Sequence, residues 1–141
     1  MKLKFRAWLN ESMYYNHSVS ISIGGEVFFL QTIGEWVEDV DGLVKLMQFT
    51  GLKDKNGKEI YEGDIIRIVN AKSHIQKKSI LSVIGFDHAS FCALWRKTEE
   101  WEGYNVPPSS LLFLNCIEKE FMEVIGNIHE NHELISLPPA C

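Results

Sequence analysis

Twenty residues, Phe49 to Ile68, constrain the fold more than any other part of this chain. They read FTGLKDKNGKEIYEGDIIRI, with glycines at 51, 57 and 63. Asn56-Gly57 signals a tight turn, because glycine accepts positive φ freely and asparagine accepts it better than most residues. Asp54 precedes it and can take a hydrogen bond from the backbone two residues on. Lys58 to Tyr61 predicts a short strand, Glu62-Gly63-Asp64 a second turn, and Ile65 to Val69 a β-branched strand. The fold-determining turn residues are thus Asp54, Asn56, Gly57, Gly63 and Asp64, with both aspartates read as exposed. Tyr61 to Ile66 also looks like the start of a strand in an SH3-like barrel, so such an element is expected around 50–70. That likeness concerns fold and carries no function.

The rest of the chain reads as short strands and turns. Lys2 to Trp8 alternates, predicting a half-buried strand with Leu3, Phe5 and Ala7 inward and Lys2, Lys4, Arg6 and Trp8 outward. Asn10-Glu11-Ser12 is a turn. Ser18 to Ile23 has the cleanest period-two pattern, and Gly24-Gly25 turns it into Glu26–Leu30 as a hairpin. Residues 34 to 42 are acidic, with Gly34 and Gly42, and read as a loop with room for one helical turn. Leu43 to Thr50 is a strand. Ile80–Phe86 and Phe91–Trp95 form a hairpin around Asp87-His88-Ala89-Ser90. Trp101 to Ser110 is a loop, and Leu111 to Leu114 fits a strand or a short helix equally. Phe121 to His129 is a strand, and Asn131 can cap one helical turn. The expected fold is mainly β: a small barrel or sandwich of short antiparallel strands with one or two short helical turns. One domain, 1–136, is expected, with 137–141 a loose tail.

Thr50 to Ile65 (TGLKDKNGKEIYEGDI) resembles the YopX family of phage and prophage proteins. Lys4-Phe5-Arg6-Ala7-Trp8 with Met13-Tyr14-Tyr15 looks like the family's opening, and Glu123 to Asn131 with Glu133-Leu134 like its closing. His132 departs from a frequent proline, and the stretch from about 71 to 116 follows no family pattern. The resemblance implies a mainly β fold, a mobile-element origin and a bacterial cytoplasm. It brings no established biochemical function.

Composition agrees with a globular chain of 141 residues, 45% apolar and 23% charged, long enough for its own core. No apolar run approaches the roughly 20 residues of a membrane helix. Three cysteines, Cys92, Cys116 and Cys141, include no C-x-x-C pair and do not suggest a disulfide framework. Cys92 and Cys116 sit in apolar settings and read as inert core thiols. The net charge of −5 is shared between the two halves and lacks the basic footprint of a nucleic-acid-binding domain.

Each candidate constellation has a plainer reading. Asp54-x-Asn56 starts like a calcium loop, but Lys58 and Glu59 stand at the fifth and sixth positions and Ile65 at the twelfth, where a ligand, glycine and glutamate are needed. His129 and His132 are three apart, not the four that place two imidazoles on one helix face. Asp87, His88, Ser90 and Cys92 bring nucleophile and base types together, yet strand residues two apart are about 6.5 Å apart along the chain. They read as a hairpin tip. No catalytic residue, metal or cofactor is therefore expected. Lys72, Lys77 and Lys78, near His74, are possible phosphate contacts on a solvated loop. Trp36, Trp95 and Trp101 are possible interface anchors, because tryptophan often carries binding energy. The favoured expectation is a non-enzymatic interaction module that forms a homo-oligomer or binds a protein partner. The alternative is a small-barrel nucleic-acid-binding protein in phage replication or regulation.

Overall fold

The computed structural model describes residues 3–15, 17–30, 34–70, 78–87, 90–98, 112–113, 115 and 117–135, with backbone alone at 70, 78–79, 87, 94–98 and 112–113. Within them the chain is antiparallel β with two single 3-10 turns, Lys119–Phe121 and His132–Leu134. It divides into two compact units, Met1–Phe49 and Thr50–Cys141.

The first unit opens with β1 (Phe5–Leu9) and β2 (Ser12–Tyr14), joined at Asn10 and Glu11 with φ of 48° and 61°. Two consecutive positive-φ residues make the turn whose twist suits a hairpin. β1 also pairs with β6 (Lys45–Lys53), Phe5 opposite Gln48 and Trp8 opposite Lys45. The inward and outward rows of β1 differ from the alternation expected. Arg6 is buried along with Ala7 and Leu9, so side chains on both faces of β1 are covered. The second hairpin is β3 (Val19–Ile21) and β4 (Val27–Leu30), turned at Gly24-Gly25 as expected. The Ser22 hydroxyl donates to the Glu26 carboxylate across its mouth. Residues 34–42 are not simply a loop: they contain β5 (Trp36–Glu38), which pairs with β4 and ends the sheet β3-β4-β5. Three residues between two glycines are too few to show a period, so the strand was invisible locally.

The second unit is built on a five-stranded sheet of order β11-β10-β9-β8-β12. Its members are β8 (Asp64–Asn70), β9 (Lys78–Asp87), β10 (Ser90–Thr98), β11 (Leu112–Phe113) and β12 (Met122–Asn127). The β9–β10 hairpin stands where the sequence placed it, and Leu112–Phe113 resolves to a strand against Cys92 and Ala93. β7 (Glu59–Tyr61) lies beside the distal part of β6. Ile60, Ile66, Ile68, Ile84, Ala93 and Met122 form the buried cluster of this unit. β8 sits between β9 and β12, and its Ile65 and Ile66, on opposite faces, are both fully buried. The run of β-branched residues is what a strand covered on both faces requires. Bulges interrupt β10 between Ala93 and Trp95 and β12 between Val124 and Gly126, each bending its strand locally.

The Glu62-Gly63 turn is fixed from both sides. The Gly63 N–H donates to Ile84 O at 2.8 Å, and its carbonyl accepts from Ile128 N–H at 2.9 Å. Its φ is 81°, which a side chain makes costly. Gly63→Ala is therefore expected to destabilise the protein by about 1–2 kcal/mol, measured by urea denaturation.

Candidate functional site

The residues singled out in the sequence separate into a buried brace and an open sheet edge. The brace is centred on Asp54. Asn56 N–H and Lys58 N–H each donate to its Oδ1 at 2.9 Å. Val124 N–H, on β12, donates to Oδ2 at 2.8 Å. Lys55 N–H donates to Met122 O at 3.0 Å beside it. The turn runs from Asp54 to Gly57, with Gly57 N–H on Asp54 O at 3.0 Å and only Gly57 at positive φ, 80°. Asp54 is thus a turn residue as expected, but it is buried, not exposed. The long-range bond to β12 draws its carboxylate inward.

Asp64 is likewise buried, and its Oδ2 accepts from Tyr61 N–H at 2.8 Å across the Glu62-Gly63 turn. Thr50 donates its hydroxyl to Ile60 O at 2.7 Å and accepts from Leu52 N–H at 3.2 Å. Sequence reasoning missed Asn127. Its Oδ1 accepts from His129 and Glu130 N–H, its Nδ2 donates to Glu130 Oε1, and its own N–H donates to Asn131 Oδ1. Asn131 therefore precedes a 3-10 turn as expected but turns its side chain back to β12, with no capping bond. An ideal Cβ on Gly126 would collide with that side chain. Asn127 followed closely by Asn131 was the available signal, since both residue types bond local backbone.

Other expected sites fare unevenly. His132 is exposed on the 3-10 turn and His129 lies in the preceding loop. Cys92 is buried on β10, with its thiol on Ser90 O at 3.4 Å. Among the described residues no group of three or more His, Cys, Asp or Glu is placed to hold a metal. Lys72, Lys77, His88, Trp101, Cys116 and Cys141 lie outside the described residues. Lys78 starts β9 and Trp95 follows the bulge of β10, both known by backbone only.

Trp36 is expected in a loop but stands on β5, 49% exposed. Leu30 lies opposite Trp36 and Phe28 opposite Glu38, so these four side chains share one face of the sheet. Val19, Phe29 and Val37 share the other, more buried face. The charge around β5 is one-sided. Between Arg6 and Lys45 there is no Lys or Arg, whereas Glu11, Glu26, Glu35, Glu38, Asp39 and Asp41 all occur there. Dividing the chain into halves hides this concentration.

A YopX family model, described as YopX protein, matches residues 4–136. The chain belongs to the YopX family. Among solved structures it is similar to the crystal structure of protein EF1440 from Enterococcus faecalis, at 27% identity and a TM-score of 0.59, covering 96% of this chain and 99% of that one. No curated protein matches it. Two of the stretches that carry the family resemblance meet in space. Asp54 bonds Val124, and Gly63 bonds Ile128.

Asp54→Ala would leave three backbone donors without their acceptor. It is expected to cost about 3 kcal/mol or more in urea unfolding and to raise hydrogen exchange at the Val124 amide. Asp54→Ser, which keeps one acceptor within local reach but not β12, should restore the turn and leave Val124 exposed to exchange.

Proposed function

We propose that this YopX protein is a phage- or prophage-derived, non-enzymatic interaction module that self-associates or holds a host or phage protein in the bacterial cytoplasm. One observation carries the reading: the distribution of exposed apolar side chains. Among the described residues, every large exposed hydrophobic except Phe86 belongs to Met1–Phe49, with Leu3, Ile23, Val40 and Leu43 the most open. Single exposed hydrophobics are ordinary, but this concentration in one unit suits a binding surface. Trp36 supplies the residue type that most often dominates binding energy. In the other unit, the distinctive polar groups Asp54, Asp64 and Asn127 are engaged in bracing the backbone. Among the described residues no helix is long and apolar enough to cross a membrane.

The test is light scattering of the full chain at about 10 μM, paired with recovery of partners from infected host cells with and without nuclease. The expected result is a mass above the 16.2 kDa of one chain, or a protein retained after nuclease treatment. Trp36→Ala should weaken that association at least about tenfold while changing unfolding by no more than about 0.5 kcal/mol. A monomer that retains no protein overturns the proposal. Recovery that disappears with nuclease moves the function to nucleic acid.

A further inference from the structure

Among the described residues β5 ends its sheet, and its outer edge has a definite polarity that specifies a partner. Asp39 N–H donates to Val27 O at 2.8 Å, which makes Val27 and Asp39 a hydrogen-bonded pair. Bonded and non-bonded pairs alternate along an antiparallel ladder. Phe29–Val37 is then bonded, and Leu30–Trp36 and Phe28–Glu38 are not. The backbone groups of Trp36 and Glu38 consequently point away from β4, and β5 ends its sheet. Glu38 O is taken by Val40 N–H at 3.0 Å. Trp36 N–H, Trp36 C=O and Glu38 N–H remain directed outward.

A strand added here would meet Trp36 and Glu38 directly, with its own alternate side chains on the face they share. An arginine or lysine opposite Glu38 gains an ion pair, and one near Trp36 can lie against the indole. Glu35, Asp39 and Asp41 extend the same charge along the segment, with no Lys or Arg between Arg6 and Lys45 to oppose it. A second copy of β5 is the wrong occupant, since it would set these carboxylates against their own kind. Resting on the reading of the chain as an interaction module, we infer that the β5 edge receives an extended, basic segment of a different protein by strand addition. The backbone supplies the docking, and the acidic flank selects a basic sequence.

The probe is a fluorescein-labelled alternating Arg–Val peptide of about eight residues, the length of an ordinary strand, titrated into the full chain by anisotropy. Its controls are a Glu–Val peptide and an Arg–Val peptide N-methylated at alternate residues on its pairing edge. The expected result is Arg–Val binding at least about tenfold tighter than either control, weakening further between roughly 0.05 and 0.3 M salt. Glu38→Lys should weaken it by a similar factor, and circular dichroism should show an unchanged fold because Glu38 is exposed. Amide exchange at Trp36 and Glu38 should slow when the peptide binds, while that at Phe29 and Val37 should not change. Absence of Arg–Val binding overturns the inference, as does equal binding of the N-methylated or Glu–Val peptide. If the inference fails while the chain still self-associates or retains a protein, the edge assignment alone is wrong. If neither association is seen, the interaction-module reading fails as well.

Discussion

The second unit depends on one buried carboxylate. Asp54 is 1% exposed, and a charge so desolvated is tolerable only when hydrogen-bond donors replace its water. Two of its three backbone donors come from its own turn, and the third comes from Val124, seventy positions away. The local bonds shape the turn, and the distant bond holds it against β12. Neither set suffices alone. Without β12 the carboxylate would return to water, and without the turn its second oxygen would not reach Val124. Gly63 repeats the arrangement on the next turn, giving its N–H to Ile84 and its carbonyl to Ile128. Two tight turns are thereby fastened to the sheet, one chiefly through a side-chain carboxylate and one through backbone groups alone.

This arrangement explains which features were legible in the sequence. The Asn56-Gly57 turn, the Gly24-Gly25 hairpin and the β9–β10 hairpin all announce themselves through neighbours in the chain, and all are present. The bond from Asp54 to Asn56 N–H was equally readable, being two residues long. Burial of Asp54 was not, because it depends on a partner with no sequence proximity. Arg6 shows the same limit: strict alternation put it outward, yet both faces of β1 are covered, which a period-two pattern does not reveal. β5 was missed for a different reason. Its three residues carry an acidic end and a flanking glycine at 34, which are ordinary loop signals, and only its pairing with β4 makes it a strand.

The candidate surface was half legible. Trp36 was identifiable by residue type, and its acidic neighbours were in plain view, but their joint meaning depends on Trp36 being in an edge strand. In a loop, the indole would be a free anchor with no direction. In β5 it is the start of a row, with outward backbone groups beneath it and Glu38 two positions along. The dominant motif of the chain, by contrast, turned out to carry architecture. Its buried aspartates are occupied by backbone donors, so the residues that best reveal the family say least about what the protein meets.

Acidic residues beside an edge strand have a second physical consequence that bears on specificity. An unpaired edge is a general hazard, since any extended chain can satisfy it, and charge is a standard way to block such pairing. Here the block is not general. Glu35, Glu38 and Asp39 disfavour an acidic or identical strand, yet they lower the free energy of a basic one. Backbone hydrogen bonds are the same for every sequence, so they can supply affinity but no discrimination. Discrimination must come from side chains that repel the wrong strand as well as attract the right one. One carboxylate cluster can act in both senses at this edge: it opposes pairing with a second acidic strand and favours pairing with a basic one.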